Sequence, residues 1–253
     1  GGGRGAAGGG EDRGARGGGN TGAWTRALRL YRAGELADAA AISRGVYRSA
    51  MDIGDQTSAG VALSVWARST GGRVDPELIQ DQLDHGSEDA STTTELQLAA
   101  GLCALQRGDL NGASAQLANA TATIRRAGLR QEYVAPVAAW DATVQRRLTE
   151  LTPQHNPTER ARRLLLAGKA VRRARFWALR SKNNAPHALR QAGLAAFPRG
   201  KALPGSKPLE RSLATAHTHG VALEHAQTKL PTSQRPAAHP PGPAPQAAAA
   251  DGH

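Results

Sequence analysis

The chain has 253 residues and a formal net charge of +11, yet only four Trp, three Tyr and two Phe. Its apolar fraction comes mainly from Ala and Leu, which suits close helix packing and argues against a β-sandwich. A single cysteine, Cys103, excludes intramolecular disulfides and cysteine-based zinc sites, and no apolar run reaches the roughly 18–20 residues of a membrane helix.

The basic balance consists almost wholly of arginine, with 27 Arg and 5 Lys. A surface of that kind suits nucleic acid or another polyanion, but a GC-rich coding sequence also enriches Arg together with Ala, Gly and Pro. Cys103 lies in the apolar run 98–105 and reads as a small core residue, with a reducing cytoplasm as the expected compartment. The Gly-rich start has no hydrophobic region of a signal peptide, and Met51 is the only Met, so Gly1 is expected to be a fragment edge or a processed end.

Residues 1–21 are mostly Gly with Arg, Ala, Glu and Asp, and are expected to be a disordered linker because they have little to bury against the entropy of ordering. Helices are then expected at 24–32 and 35–51, with a corner at Ala33-Gly34 and a left-handed cap at Gly54-Asp55. A helix over 57–69 carries Val61, Val65 and Trp66 at helical spacing. Gly71-Gly72 breaks it, and Asp75-Pro76 offers an N-cap with Pro at the first helical position. Segments 93–106 and 110–127 form a second phased pair, joined at Arg107-Gly108-Asp109. A longer pair, 133–151 and 158–181, is separated by a linker holding Pro153 and Pro157. Segments 185–198, 206–219 and 222–230 complete the array, and the Pro/Ala-rich stretch 231–253 reads as a disordered tail.

Three glycine pairs, each twenty residues apart, organise these helices: Gly34/Gly54, Gly108/Gly128 and Gly200/Gly220. Six residues before each first glycine stands Leu28, Leu102 or Leu194, preceded by a small residue, Ala27, Gly101 or Gly193. Five residues after it stands Ala39, Ala113 or Gly205. A small residue at a helix crossing lets the two axes approach. In the second helices, Leu36, Ala39, Ser43, Val46 and Ala50 correspond to Leu110, Ala113, Leu117, Ala120 and Ile124, all on one helical face. The expected architecture over residues 22–230 is an all-α solenoid of stacked helix pairs.

This pattern, a small residue in the first helix, Gly at the corner and alanines in the second, resembles the tetratricopeptide repeat. The longer second helices, ending in Gly54-Asp55 or Gly128-Leu129 rather than Pro, look like the long-helix variant of maltose-regulator-type transcription factors and large bacterial signalling proteins. Residues 186–190, 209–214 and 224–228 resemble the repeat region of multidomain proteins that join a kinase or ATPase module to an output domain. The resemblance implies a right-handed superhelix of antiparallel helix pairs. It also implies a non-catalytic role in protein–protein interaction or intramolecular regulation, with a protein partner or a neighbouring domain on the concave face. Pro198, Pro204 and Pro208 interrupt the last repeat, where the family keeps its helix going.

Several constellations compete with that reading. Arg162, Lys169, Arg172, Arg173, Arg175 and Arg180 make 158–182 the strongest charge feature, with a buried stripe expected at Leu164, Ala167, Val171, Ala174 and Ala178. This helix is the candidate face for an anionic partner, nucleic acid included; the alternative is a solvated repeat helix. Residues 200–207 nearly spell a phosphate-binding loop, but Ser206 precedes Lys207, the reverse of the order that places lysine on phosphate and hydroxyl on Mg²⁺, so a repeat corner is the expectation. His217, His219, Glu224 and His225 lack the three- or four-residue spacing of helical metal ligands and read as surface groups. The remaining Asp and Glu read as scattered over exposed positions. Trp24, Trp66, Trp140 and Trp177 could line a concave groove, but core packing is the expectation for most of them, and for Tyr31 and Trp140 in particular. No catalytic, cofactor-binding or metal-ligating set is assigned.

Overall fold

The computed structural model describes residues 8–85, 89–196 and 206–233, and among these every regular element is helical. In chain order they are α1 (Gly8–Ala33), α2 (Leu36–Ile53), α3 (Gln56–Ser69), α4 (Pro76–His85), α5 (Ala90–Gln106), α6 (Leu110–Arg126), α7 (Ala135–Glu150), α8 (Pro157–Ala178), α9 (Ala185–Leu194), α10 (Ser206–Thr218) and α11 (Ala222–Ser233). Single 3-10 turns, Glu132–Val134 and Lys182–Asn184, lead into α7 and α9. The first helix begins at Gly8, inside the stretch that composition assigns to a linker, and α11 reaches Ser233, just past the expected start of the tail. Residues 1–7 and 234–253 lie outside the described residues, as do Pro198 of the interrupted last repeat and Gly200, Pro204 and Gly205 of the near phosphate-binding loop.

Local chemistry explains where the helices start and stop. Asp55, Asp89, Asp109 and Asn156 each accept a hydrogen bond from a backbone N–H in the first turn of α3, α5, α6 and α8, satisfying one of the donors that a helix start leaves free. Asp75 does the same for Glu77 ahead of α4. At the far ends, Gly34, Gly54, Gly108, Gly128 and Gly220 all take positive φ, between 64° and 89°. Any side chain there would strain the left-handed backbone that turns the chain into the next helix.

The equivalent positions in α2 and α6 face inward together. Ala39, Ser43, Val46 and Ala50 are buried in α2, and Leu110, Ala113, Leu117, Ala120 and Ile124 in α6. Gly101 lies where α5 meets α6: a Cβ built on it would stand 3.1 Å from Leu117 Cγ and press on that side chain, so the bare glycine favours the close packing of the two helices. Leu63, Leu96, Leu98 and Leu117 are almost wholly buried in one continuous cluster that runs from α3 to α7. Each such side chain contributes roughly 1.5–3 kcal/mol by leaving water. A smaller alanine cluster of Ala138, Ala142, Ala170, Ala174 and Ala188 joins α7, α8 and α9.

Successive helices pack on one another, and α1 also touches α3, α3 touches α5, and α7 touches α9. The last helix, α11, returns to pack on α1, with the Leu223 backbone 3.7 Å from the place a Gly34 side chain would occupy. The odd-numbered helices therefore surround a common interior.

Candidate functional site: the interior cavity

A cavity of about 390 Å³ lies in that interior. Its lining comes from α1, α3, α5, α7, α9 and α11, their preceding turns included, and from none of the even-numbered helices. Trp24, Leu28 and Tyr31 of α1, Val61 and Val65 of α3, Trp140 of α7 and Leu223 of α11 all contribute to its wall. Much of the wall is thus aromatic or branched aliphatic, as small-molecule sites are.

Each arginine on or just behind the wall is paired with a carboxylate, and the remaining wall carboxylate, Asp89, accepts from the Thr92 N–H and hydroxyl at the start of α5. Arg68 of α3 meets Glu95 of α5 at 2.8 Å, with both side chains only 6% exposed. Glu95 also takes a hydrogen bond from Ser64. Arg190 of α9 meets Glu224 of α11 at 2.5 Å, again almost wholly buried. Nearer the rim, Glu132 accepts hydrogen bonds from Arg32 at 3.0 Å and Asn183 at 2.6 Å, joining α1 to the turns before α7 and α9. Tyr133 shares a 2.6 Å hydrogen bond with Ser91 at the start of α5.

His187 lines the cavity beside these pairs. Its Nε2 lies 3.0 Å from the Thr143 hydroxyl, its Nδ1 lies 3.8 Å from Glu224, and its ring meets Trp140 edge-on at 4.8 Å. Burial pushes the imidazole well below its usual value, and the charges of Arg190 and Arg146 add to the effect, so the ring is neutral. Burial raises the Glu224 carboxyl, with Arg190 working against it. Tyr31 is held protonated: burial, reinforced by Glu224, pushes its phenol up to about 12. The guanidinium of Arg68 sits 6.0 Å from the centre of the Tyr31 ring.

These placements correct the sequence reading in two respects. Carboxylates are not all on exposed positions, since Glu95, Asp141 and Glu224 are buried. Tyr31 and Trp140 are not only packing residues; with Trp24 they line the cavity, whereas Trp66 and Trp177 pack on the main core. Among the neighbours of Glu224 in sequence, His217 and His219 are exposed, and the rings of His217 and His225 are 6.3 Å apart. Among the described residues, no three His, Cys, Asp or Glu side chains are grouped closely enough to hold a metal ion.

The Arg-rich candidate face divides by partner. Arg162 forks onto Glu159 at 2.6 and 2.7 Å, Arg173 reaches Asp141 at 3.3 Å on α7, and Arg180 lies over the Phe176 ring at 4.1 Å. Lys169, Arg172 and Arg175 are exposed. Leu165, Phe176 and Leu179 are exposed beside them, so the outer face of α8 mixes apolar and cationic groups. In the expected stripe, Ala167 and Ala174 are buried while Leu164, Val171 and Ala178 are half-buried.

Cys103 is buried against the Val74 carbonyl, and burial raises its thiol. Among the described residues, no helix is long and apolar enough to cross a membrane. Compared with known proteins, the chain matches no family model, no curated protein and no solved structure.

Proposed function

We propose that the chain is a tetratricopeptide-like right-handed solenoid of antiparallel helix pairs. In this reading it is a non-catalytic interaction or intramolecular regulatory scaffold of a signalling protein. Its receiving surface is the inner face, where a partner polypeptide or a neighbouring domain docks. The observation that carries this reading is the strict alternation of the cavity wall, to which every odd-numbered helix and no even-numbered helix contributes. Stacked helix pairs produce such an alternation because the first helix of each pair faces the concave side and the second faces outward.

Recognition by surface complementarity needs no reacting group, and the buried Arg68 and Arg190 here are each engaged with a glutamate. The test places a photo-crosslinking amino acid at Thr57, on the cavity wall, or at Arg172, on the outer face of α8, in cells that make the protein. A polypeptide adduct from position 57 is the expected result. Adducts from position 172 alone, or to nucleic acid, would replace this reading with a polyanion-binding one.

A further inference from the structure

Three hydrogen-bonding side chains on the cavity wall stand apart from the paired charges around them. Among the described residues, the Tyr31 hydroxyl and the indole N–H groups of Trp24 and Trp140 have no hydrogen-bond partner in the protein. Each is a donor, and the phenol keeps its proton at any ordinary pH. Each of the cavity arginines already has a carboxylate: Arg68 has Glu95, Arg32 has Glu132, and Arg190 behind the wall has Glu224. An anionic ligand would have to draw Arg68 or Arg190 from its carboxylate and strand a buried charge, which costs several kcal/mol, while Asp89, the wall carboxylate outside these pairs, is already held by the Thr92 N–H and hydroxyl. An uncharged ligand leaves them intact.

We infer that the interior cavity binds a compact, uncharged, largely apolar small molecule that carries a hydrogen-bond acceptor, such as a carbonyl, for the free donors of Tyr31, Trp24 and Trp140. The inference rests on the reading of the inner face as the receiving surface and gives that surface a ligand of its own. The volume, about 390 Å³, falls within the range of small-molecule sites. The apolar part of the ligand lies against Leu28, Val61 and Val65, and the wall is closed by helices from both ends of the described chain, α1 and α11. A ligand touching both ends holds them together, which links occupancy of the cavity to the stability of the closing contact.

The probe for this inference is prodan, an uncharged naphthyl ketone whose emission shifts to the blue in an apolar site. Anilinonaphthalene sulfonate serves as the anionic counterpart. The full chain should bind one prodan saturably, at least tenfold more tightly than the sulfonate, with a rise in unfolding temperature. Tyr31→Phe removes one donor and should weaken prodan binding by about three- to tenfold, the worth of a single hydrogen bond. Val61→Phe fills the cavity and should abolish binding. Should that variant lose helix content by circular dichroism, Leu28→Trp, at a half-buried wall position, serves in its place.

Absence of saturable prodan binding would overturn the inference. So would a preference for the sulfonate, or undiminished binding by a folded cavity-filled variant. A polypeptide crosslinked at position 57 without prodan binding would end this inference and leave the scaffold reading standing, whereas failure of both experiments removes both.

Discussion

Replacing His187 with glutamine should flatten the acid side of the chain's stability profile. In the native protein the ring stays neutral well below its usual value because burial, Arg190 and Arg146 all oppose a positive charge there. In the unfolded chain it takes up a proton near pH 6.5. Below that pH the unfolded state therefore holds one more proton than the native state. The free energy of unfolding then falls by about 1.4 kcal/mol for each pH unit of acidification, until the native pKa is reached. The contribution is present in full above the unfolded value and is lost as pH falls. Glu224 acts in the opposite sense: its raised carboxyl keeps a proton in the native state that the unfolded chain has released, so its contribution is lost as pH rises through that window. It is present in both proteins, and subtracting their curves removes most of its effect. The His187→Gln side chain retains an amide partner for the Thr143 hydroxyl, so the packing loss adds an offset rather than a slope. Urea denaturation followed by tryptophan fluorescence between about pH 7.5 and 4.5 should show wild-type and variant curves diverging by about 1.4 kcal/mol per unit below pH 6. Parallel curves would mean that His187 charges within the folded protein, and the account of its burial would be wrong.

Gly72→Ala should cost more than Gly128→Ala, although both glycines are left-handed. A side chain at Gly128 meets nothing within 4 Å and pays only the left-handed penalty of about 1–2 kcal/mol, whereas at Gly72 its Cβ would lie 2.3 Å from the Leu102 carbonyl oxygen and force the backbone to move. Urea midpoints of the two variants should separate clearly. Glu95→Ala should cost about 3–5 kcal/mol because it strands the Arg68 charge in the interior. Adding Arg68→Met should restore much of that loss, and a double variant as unstable as the single one would count against the pairing argument. On α8, Arg172→Gln with Arg175→Gln should lower the salt needed to elute the chain from heparin with no change in Tm. Arg173→Gln should lower Tm by about 2–4 °C through its loss to Asp141.

The helices were legible in the sequence because their causes are local. The periodic faces of α2 and α6 and the positive-φ glycines between helices each depend on residues within one or two turns. The cavity depends on contacts that join distant segments: Arg68 to Glu95 spans 27 residues and Arg190 to Glu224 spans 34. One signal was available and was missed. Glu95 is the only charged residue in α5, a helix otherwise composed of small, apolar and uncharged polar groups, and a lone carboxylate in such a setting needs an internal partner. Glu224 was hidden differently, by neighbouring histidines that drew attention to the surface.

The buried charges bear on why the interior is open at all. A paired Arg and Glu inside a protein add little net stability compared with apolar side chains of the same volume, so stability alone does not account for Arg68–Glu95 or Arg190–Glu224. Position accounts for them better. One ties α3 to α5, the other ties α9 to α11, and the Arg32–Glu132–Asn183 bridge spans from α1 to the turns before α7 and α9. Each link joins inner helices, or the turns that lead into them, around the cavity. Leucines at the same positions could collapse inward and fill the space, since apolar contacts are not directional. Hydrogen-bonded pairs with fixed geometry hold the inner helices at a set spacing, and the space left between them is the cavity whose donors await an acceptor.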